Sequence, residues 1–276
     1  MTWNARLDID YRLEQQRCVA RHRHSGPLRV LQSLYPEGDA ICHNVLVHPP
    51  GGLVGGDTLE VQISASGQAH GLITTPGATR FYRSDGETAV QRTHIALADQ
   101  SRLEWLPLEA LAYNDCLAEN HLSLQLAPQA ECLGWDITAL GLPQADLPFV
   151  RGRFQQHIEL PGVWLERGCI DAQDARLMDG PLGLAAHRCM ASLFFASGSA
   201  LARTRRDTAL ELARACIDAH DLRASAGVTA PNAQVLVLRV LAPLTEPAQD
   251  LLRQVRAVWR AHLWQLAPVQ PRIWAT

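Results

Sequence analysis

Short runs of alternating apolar and polar residues, each closed by glycine or proline, constrain this chain more than any other feature. Leu7, Ile9, Tyr11 and Leu13 alternate with polar neighbours, a period of two that puts every second side chain on one face of a strand. Similar short runs occupy 44–47, 58–63, 88–97, 102–106, 121–126 and 154–160. Turn residues separate them: Ser25-Gly26-Pro27, Pro36-Glu37-Gly38, the stretch 49–56, Ser66-Gly67 and Asp85-Gly86. This pattern predicts a mainly β fold, a stacked or two-layer sheet body that is β-helix-like or a sandwich. No fixed period links the runs, which argues against a regular solenoid.

The last third changes character, with two or so helices expected there. Thr208 and Glu211 have the spacing of a capping box, and Leu210, Leu212, Ala215, Cys216 and Ala219 follow at helical intervals. Residues 234–241 form an apolar run that suits a strand buried on both faces. Pro247 then opens a helix expected to reach about Ala267, with Leu251, Leu252, Val255, Val258, Trp259, His262, Leu263 and Leu266 as its apolar stripe. No linker or low-complexity segment appears. The expectation is a single domain over 1–276, a β body to about 200 and a mixed helix and strand part over about 201–276.

Composition excludes several classes. A net charge of −3 gives no basic footprint for nucleic acid. All 25 basic Lys+Arg positions are arginine, so neither a P-loop lysine nor a Schiff-base lysine exists. The 7 cysteines are widely spaced without a C-x-x-C pair, which fits reduced thiols and neither a disulfide framework nor a zinc ribbon. The first residues do not read as a signal peptide, and no apolar stretch is long enough for a membrane span. A cytoplasmic protein is expected.

The run Pro49-Pro50-Gly51-Gly52-Leu53-Val54-Gly55-Gly56-Asp57 invites a nucleotide-binding reading. It contains neither G-x-x-x-x-G-K-[ST] nor G-x-G-x-x-G, and a strand follows it where a phosphate site needs a helix N-terminus. A close-packed turn capped by Asp57 explains the glycines. No G-x-S-x-G elbow is present. Cys42 and His43 adjoin, but neighbouring strand residues point to opposite faces and cannot pair as nucleophile and base. His22, His24, His43 and His48 are scattered candidates for weak metal coordination without a ligand motif. Pro76-Gly77 fits the centre of a type II turn in a hairpin, with Arg80 and Arg83 flanking Phe81 and Tyr82 as a candidate partner surface.

Five ordered segments carry a family resemblance. They are Tyr35-Pro36-Glu37-Gly38 with Cys42-His43, the run His48 to Asp57, the run Thr74 to Ser84, Leu103-Glu104-Trp105-Leu106-Pro107-Leu108-Glu109, and Gly134-Trp135-Asp136-Ile137. Together they resemble the UreD (UreH) family of urease accessory proteins, most densely over about 35–143. The family pattern places an acidic residue, often Glu, after Gly-Trp; Asp136 keeps the charge and shortens the reach. The C-terminal third carries no matching signature.

The resemblance implies a non-catalytic chaperone of urease maturation, with a largely β fold and a few C-terminal helices. It implies binding of UreF, which recruits the GTPase UreG, and docking on the urease apoprotein, in a hetero-oligomer with two copies of each accessory protein. It also implies an internal polar path for nickel, with no cofactor permanently bound. An ion in transit needs oxygen ligands of intermediate strength, because a thiolate cluster would hold it. Asp57, Thr79 and Asp136 lie in matched segments and are candidates to line such a path, with Glu166 a fourth. The ordinary alternatives are a turn cap for Asp57 and an ion pair with Arg167 for Glu166. A structural adaptor that opens urease without conducting nickel, and a small metal-dependent hydrolase using His22, His24, His43 or His48, are the other readings.

Overall fold

The computed structural model of the chain describes residues 2–275. Its strands are, in order, β1 (Asn4–Glu14), β2 (Arg17–Ser25), β3 (Arg29–Val30), β4 (Ile41–Val47), β5 (Thr58–Ser66), β6 (His70–Thr74), β7 (Thr79–Phe81), β8 (Ala89–Leu97) and β9 (Arg102–Leu106). There follow β10 (Ala110–Ala112), β11 (Cys116–Leu126), β12 (Glu131–Leu142), β13 (Leu147–Pro148), β14 (Gly152–Leu160), β15 (Trp164–Asp171), β16 (Cys189–Ser197), β17 (Ala226–Thr229) and β18 (Val235–Ala242). The helices are α1 (Ala175–Asp179), α2 (Arg203–Asp218) and α3 (Thr245–Trp264).

The chain shuttles between two sheets. A 7-stranded sheet has the order β15-β14-β11-β8-β5-β1-β2. An 11-stranded sheet runs β17-β18-β16-β12-β9-β6-β4-β3, with β10 and β13 against β12 and β7 against β10. Within the first sheet β1, β5, β8, β11 and β14 pair in parallel, and within the second β4, β6, β9 and β12 do so. Each coil therefore adds one strand to each sheet, the β-helix-like alternative, with coils that are solenoid-like.

The register partners Thr58, Val90, Glu119 and Gln155 are unevenly spaced, so the coils differ in length and no sequence period emerges. A short repeat survives at one corner. Gln68, Gln100 and Gln129 all take left-handed backbone, at φ 65°, 61° and 65°. Each is followed by a buried small residue, Ala69, Ser101 or Ala130, whose amide closes the turn.

The two sheets face each other over one apolar cluster, which includes Leu7, Ile9, Val61, Ile63, Phe81, Ile95, Leu122, Phe154, Ile158 and Phe194. Helices α2 and α3 cover the outer face of the 11-stranded sheet over a second cluster, including Leu133, Trp135, Leu193, Phe195, Leu238, Leu251, Val255 and Trp259. Strand β12 feeds both: Cys132 and Leu140 point to the first cluster, Leu133, Trp135 and Ile137 to the second. That alternation places Asp136 between the sheets.

Three local expectations are corrected. Helix α2 begins at Arg203, so Thr208 and Glu211 lie inside it and form no capping box. Its start is set by tertiary anchoring: Leu201 is buried and donates its amide to Ala233 O at 2.8 Å. Gly77 does not adopt the left-handed backbone that a type II turn needs at that position. Thr75 Oγ1, which donates to Gly77 O and accepts from Leu108 N, ties the segment to the next coil instead. The flanking strands form no hairpin either, since β6 pairs with β4 and β9 while β7 pairs in parallel with β10. Helix α3 holds Pro247 in its first turn as expected and stops at Trp264, with Gln265 left-handed at φ 57°.

Candidate functional site

The glycine run lies along Arg80 to Ser84 of the next coil. Leu53 N donates to Arg80 O at 2.7 Å, and Tyr82 N donates to Leu53 O at 2.8 Å. A Cβ on Gly52 would collide with the Tyr82 ring, and one on Gly55 with Ser84 Oγ. Close approach is therefore the reason for Gly52 and Gly55, while Gly51 and Gly56 take left-handed backbone at φ 82° and 87° that favours glycine. Asp57 is buried and uses both carboxylate oxygens, accepting from Trp3 N at 2.8 Å and Val54 N at 2.9 Å. It caps this turn and fastens the start of β1 to it.

The other sequence-predicted residues are spread over the body. Thr79 opens β7, half-buried, and its amide donates to Glu109 O at 2.9 Å. Arg80 and Arg83 are exposed. Glu166 faces β18, and its partner is Arg239, not the adjacent Arg167. The reason is strand geometry: Arg167 points to the opposite face. Asp57, Asp136 and Glu166 are not brought to one place. No three His, Cys, Asp or Glu side chains among the described residues gather so as to hold a metal ion. His43 bonds Glu37 at 2.8 Å, while His22 and His24 stack on the exposed edge strand β2. Cys42 lies in the cluster between the sheets, opposite to His43, as strand alternation requires.

Asp136 stands apart. It is buried and surrounded by neutral donors only: Asn120 Nδ2 at 2.8 Å, Thr138 Oγ1 at 3.2 Å and Gln156 Nε2. Asn120 also accepts from Gln91 Nε2 at 3.2 Å. Burial pushes the Asp136 carboxyl up to about 6, against the pull of its three donors. A buried carboxylate whose hydrogen-bond partners are all neutral can accept a proton or a metal cation at the same position.

A second polar assembly lies between the 11-stranded sheet and α3. Glu104 is fully buried and accepts from Arg256 Nε at 2.8 Å and Arg260 Nε at 2.9 Å. Arg260 also bridges to Glu37 at 2.6 Å, and Glu37 to His43. His70 Nε2 lies 3.5 Å from Glu104. Burial pushes the Glu104 carboxyl up, but Arg256, His70 and Arg260 outweigh it and hold it far below the ordinary carboxylate range. Burial likewise drives His70 down, toward its neutral form. Sequence reasoning missed this network. Two of the five matched segments supply Glu37, His43 and Glu104, yet the α3 arginines that pair with Glu37 and Glu104 are more than a hundred residues away.

The fold and these sites define a class: a coil-stacked β scaffold, clad by helices on one side, with an isolated carboxylate in its core. The profile of the UreD urease accessory protein family matches residues 4–275. The chain is 69% identical over 275 residues to urease accessory protein UreD of Albidiferax ferrireducens, and 66% identical over 276 residues to that of Variovorax paradoxus. It is 49% identical over 296 aligned positions to that of Methylibium petroleiphilum, and in all three cases the match covers 100% of both chains. The chain belongs to the UreD urease accessory protein family.

Proposed function

We propose that this chain is a scaffold of urease maturation that binds UreF, and through it UreG, docks on the urease apoprotein and passes nickel through its interior. One observation supports the transit step: Asp136 sits between the two sheets with the neutral side chains of Asn120, Thr138 and Gln156 as its hydrogen-bond partners. Nickel there is cargo, held by oxygen ligands weak enough to release it. Exposed Arg80 and Arg83 serve partner docking in this reading.

The test is Asp136→Ala, coexpressed with its partners. The variant is expected to co-purify with UreF and apo-urease at parental yield while the urease it matures holds several-fold less nickel. Full nickel and full activity would remove the transit step. A second reading, a purely structural adaptor, draws support from Asp57, whose oxygens are both taken by backbone amides. On that reading Asp57→Ala acts by loosening the glycine turn, and lost partner binding accompanies any lost activation.

A further inference from the structure

The coil corners that carry the left-handed glutamines open onto a recess of about 1030 Å³. Gln68, Gln100 and Gln129 line it. So do the residues two positions further on, His70, Arg102 and Glu131, which share one register across β6, β9 and β12. The corners stack at strand spacing, so the three span about 10 Å. Gln68 Nε2 donates to Gln100 Oε1 at 2.6 Å. Left-handed backbone suits glycine and, through a short local hydrogen bond, asparagine; glutamine has the crowded Cβ without that compensation. Glycine would hold each turn at less cost. Three glutamines at equivalent corners therefore point to a use for their carboxamides.

The charge in and around this recess is positive. The start of α2 closes one side, with Leu201, Ala202 and Arg205 in the lining. No side chain caps this helix, and no acidic residue lies in its first turn. Arg203, Arg205 and Arg206 stand there instead, against the helix dipole. Arg203 and Arg206 share one carboxylate, Asp207. The two carboxylates that line the recess are both engaged. Glu37 is held by Arg260 and His43, and Glu131 accepts from Arg205 Nη1 at 2.5 Å and Trp264 Nε1 at 2.7 Å. Arg102, half-exposed, approaches Glu131 only to 3.8 Å, beyond a hydrogen bond, so its guanidinium lines the recess with donors to spare. Burial and Arg205 both act against the Arg102 charge, with Glu131 opposing them. Beside it His70, 6% exposed, makes no hydrogen bond at Nε2 among the described residues.

An oxyanion placed here would meet a guanidinium, an uncapped helix N-terminus and carboxamide donors together. One small anion would leave most of the recess empty, since cavities of about 300–1,000 Å³ hold whole organic ligands. Carboxamides both donate and accept, which is what a peptide backbone requires, and about 10 Å of corners matches roughly three extended residues. We propose that this recess docks an acidic, extended segment of a partner protein, with a carboxylate on Arg102 and the start of α2 and its backbone along Gln68, Gln100 and Gln129. The surface is separate from Arg80 and Arg83 and plays no part in transit. That its occupant is a partner protein rests on the scaffold reading above.

Binding is read on the full chain by fluorescence polarisation of a labelled hexaglutamate peptide at low salt, with hexaglutamine as the neutral probe. Hexaglutamate is expected to bind about tenfold tighter or more; equal binding of the two peptides would overturn an acidic occupant. Arg102→Gln should weaken hexaglutamate about tenfold, the loss of one charge-assisted contact. Gln100→Gly should weaken it about threefold while its urea midpoint stays at the parent's or rises, because glycine takes the left-handed turn more readily. A lowered midpoint with unchanged binding would make the glutamines structural and overturn their docking role. Arg153→Gln, on the outer face of the other sheet, should bind as the parent does; weakening equal to that of Arg102→Gln would mean diffuse charge attraction and overturn the site. So would displacement of the peptide by inorganic phosphate where chloride of equal ionic strength leaves it bound, the mark of a small-oxyanion site. With UreF, UreG and apo-urease coexpressed, the double variant Arg102→Gln, Gln100→Gly should recover at least one of them about tenfold less well. Full recovery of all three would overturn a partner protein as the occupant. A parent chain that recovers none of them would overturn the scaffold reading, while the peptide result still decides the site.

Discussion

The two sheets differ in what covers them. The 7-stranded sheet packs on one face and meets water on the other, so β5 alternates half-buried and buried residues along its whole length. The 11-stranded sheet is covered twice, by the first sheet and by α2 and α3, and β12 is buried at every residue but its last. A strand with one wet face writes its geometry into a period of two; a strand with two dry faces does not. Charges follow the same division. The outer face of the first sheet carries exposed pairs such as Arg6–Asp8 and Arg153–Asp171, whereas the doubly covered sheet encloses Glu104 with two arginines.

The largest effect expected from this difference is at Glu104. Glu104→Ala leaves Arg256 without a carboxylate and Arg260 with Glu37 alone, and should cost about 3–5 kcal/mol, read by urea unfolding. A loss below about 1 kcal/mol would mean that the arginines find water or other acceptors, and that the second cover is loose.

A smaller effect concerns Asp136, and it depends on pH. Its folded value, about 6, lies above the ordinary Asp value of about 4. Between those two values the folded state holds a proton that the unfolded chain has released, so stability falls as pH rises through that window. Asp136→Asn lacks this penalty. Its stability relative to the parent should rise by up to about 3 kcal/mol between pH 4 and pH 7. A pH-independent difference between the two proteins would show that Asp136 is ionised throughout. The smallest effect belongs to the wet face: Arg153→Ala, at an exposed ion pair, should change stability by less than about 1 kcal/mol. Were it to match Glu104→Ala, the contrast between the sheets would collapse.

How much was legible tracks the same division. The runs 58–63, 88–97, 121–126 and 154–160 fall on strands of the 7-stranded sheet, within one residue of their bounds. In the doubly covered sheet the short runs 44–47 and 102–106 fall on β4 and β9 and the apolar run 234–241 on β18, but β12 and β16 offer no alternation, so the strand that carries Asp136 is silent in pattern. The coil repeat is legible only in hindsight, in the left-handed glutamines before Ala69, Ser101 and Ala130, because coil length varies elsewhere. The capping-box reading at Thr208 failed because a buried Leu201, a tertiary contact, set where α2 begins. The alternative that pairs Glu166 with Arg167 fails because a neighbour in sequence points to the other side of a strand.

By itself the sequence determined the β character, the C-terminal helices, the exclusion of lysine chemistry and, through five ordered segments, the family. These are properties of local pattern: turn residues, side-chain period and residue type act over a few positions. Only the tertiary structure decided that Gly52 and Gly55 make room for Tyr82 and Ser84, that Asp57 is fully engaged by backbone amides, and that Asp136 meets Asn120 and Gln156 of the facing sheet. Such neighbours come together through coil stacking, which joins residues tens of positions apart at the spacing of adjacent strands, and no local pattern in the chain records which of them meet.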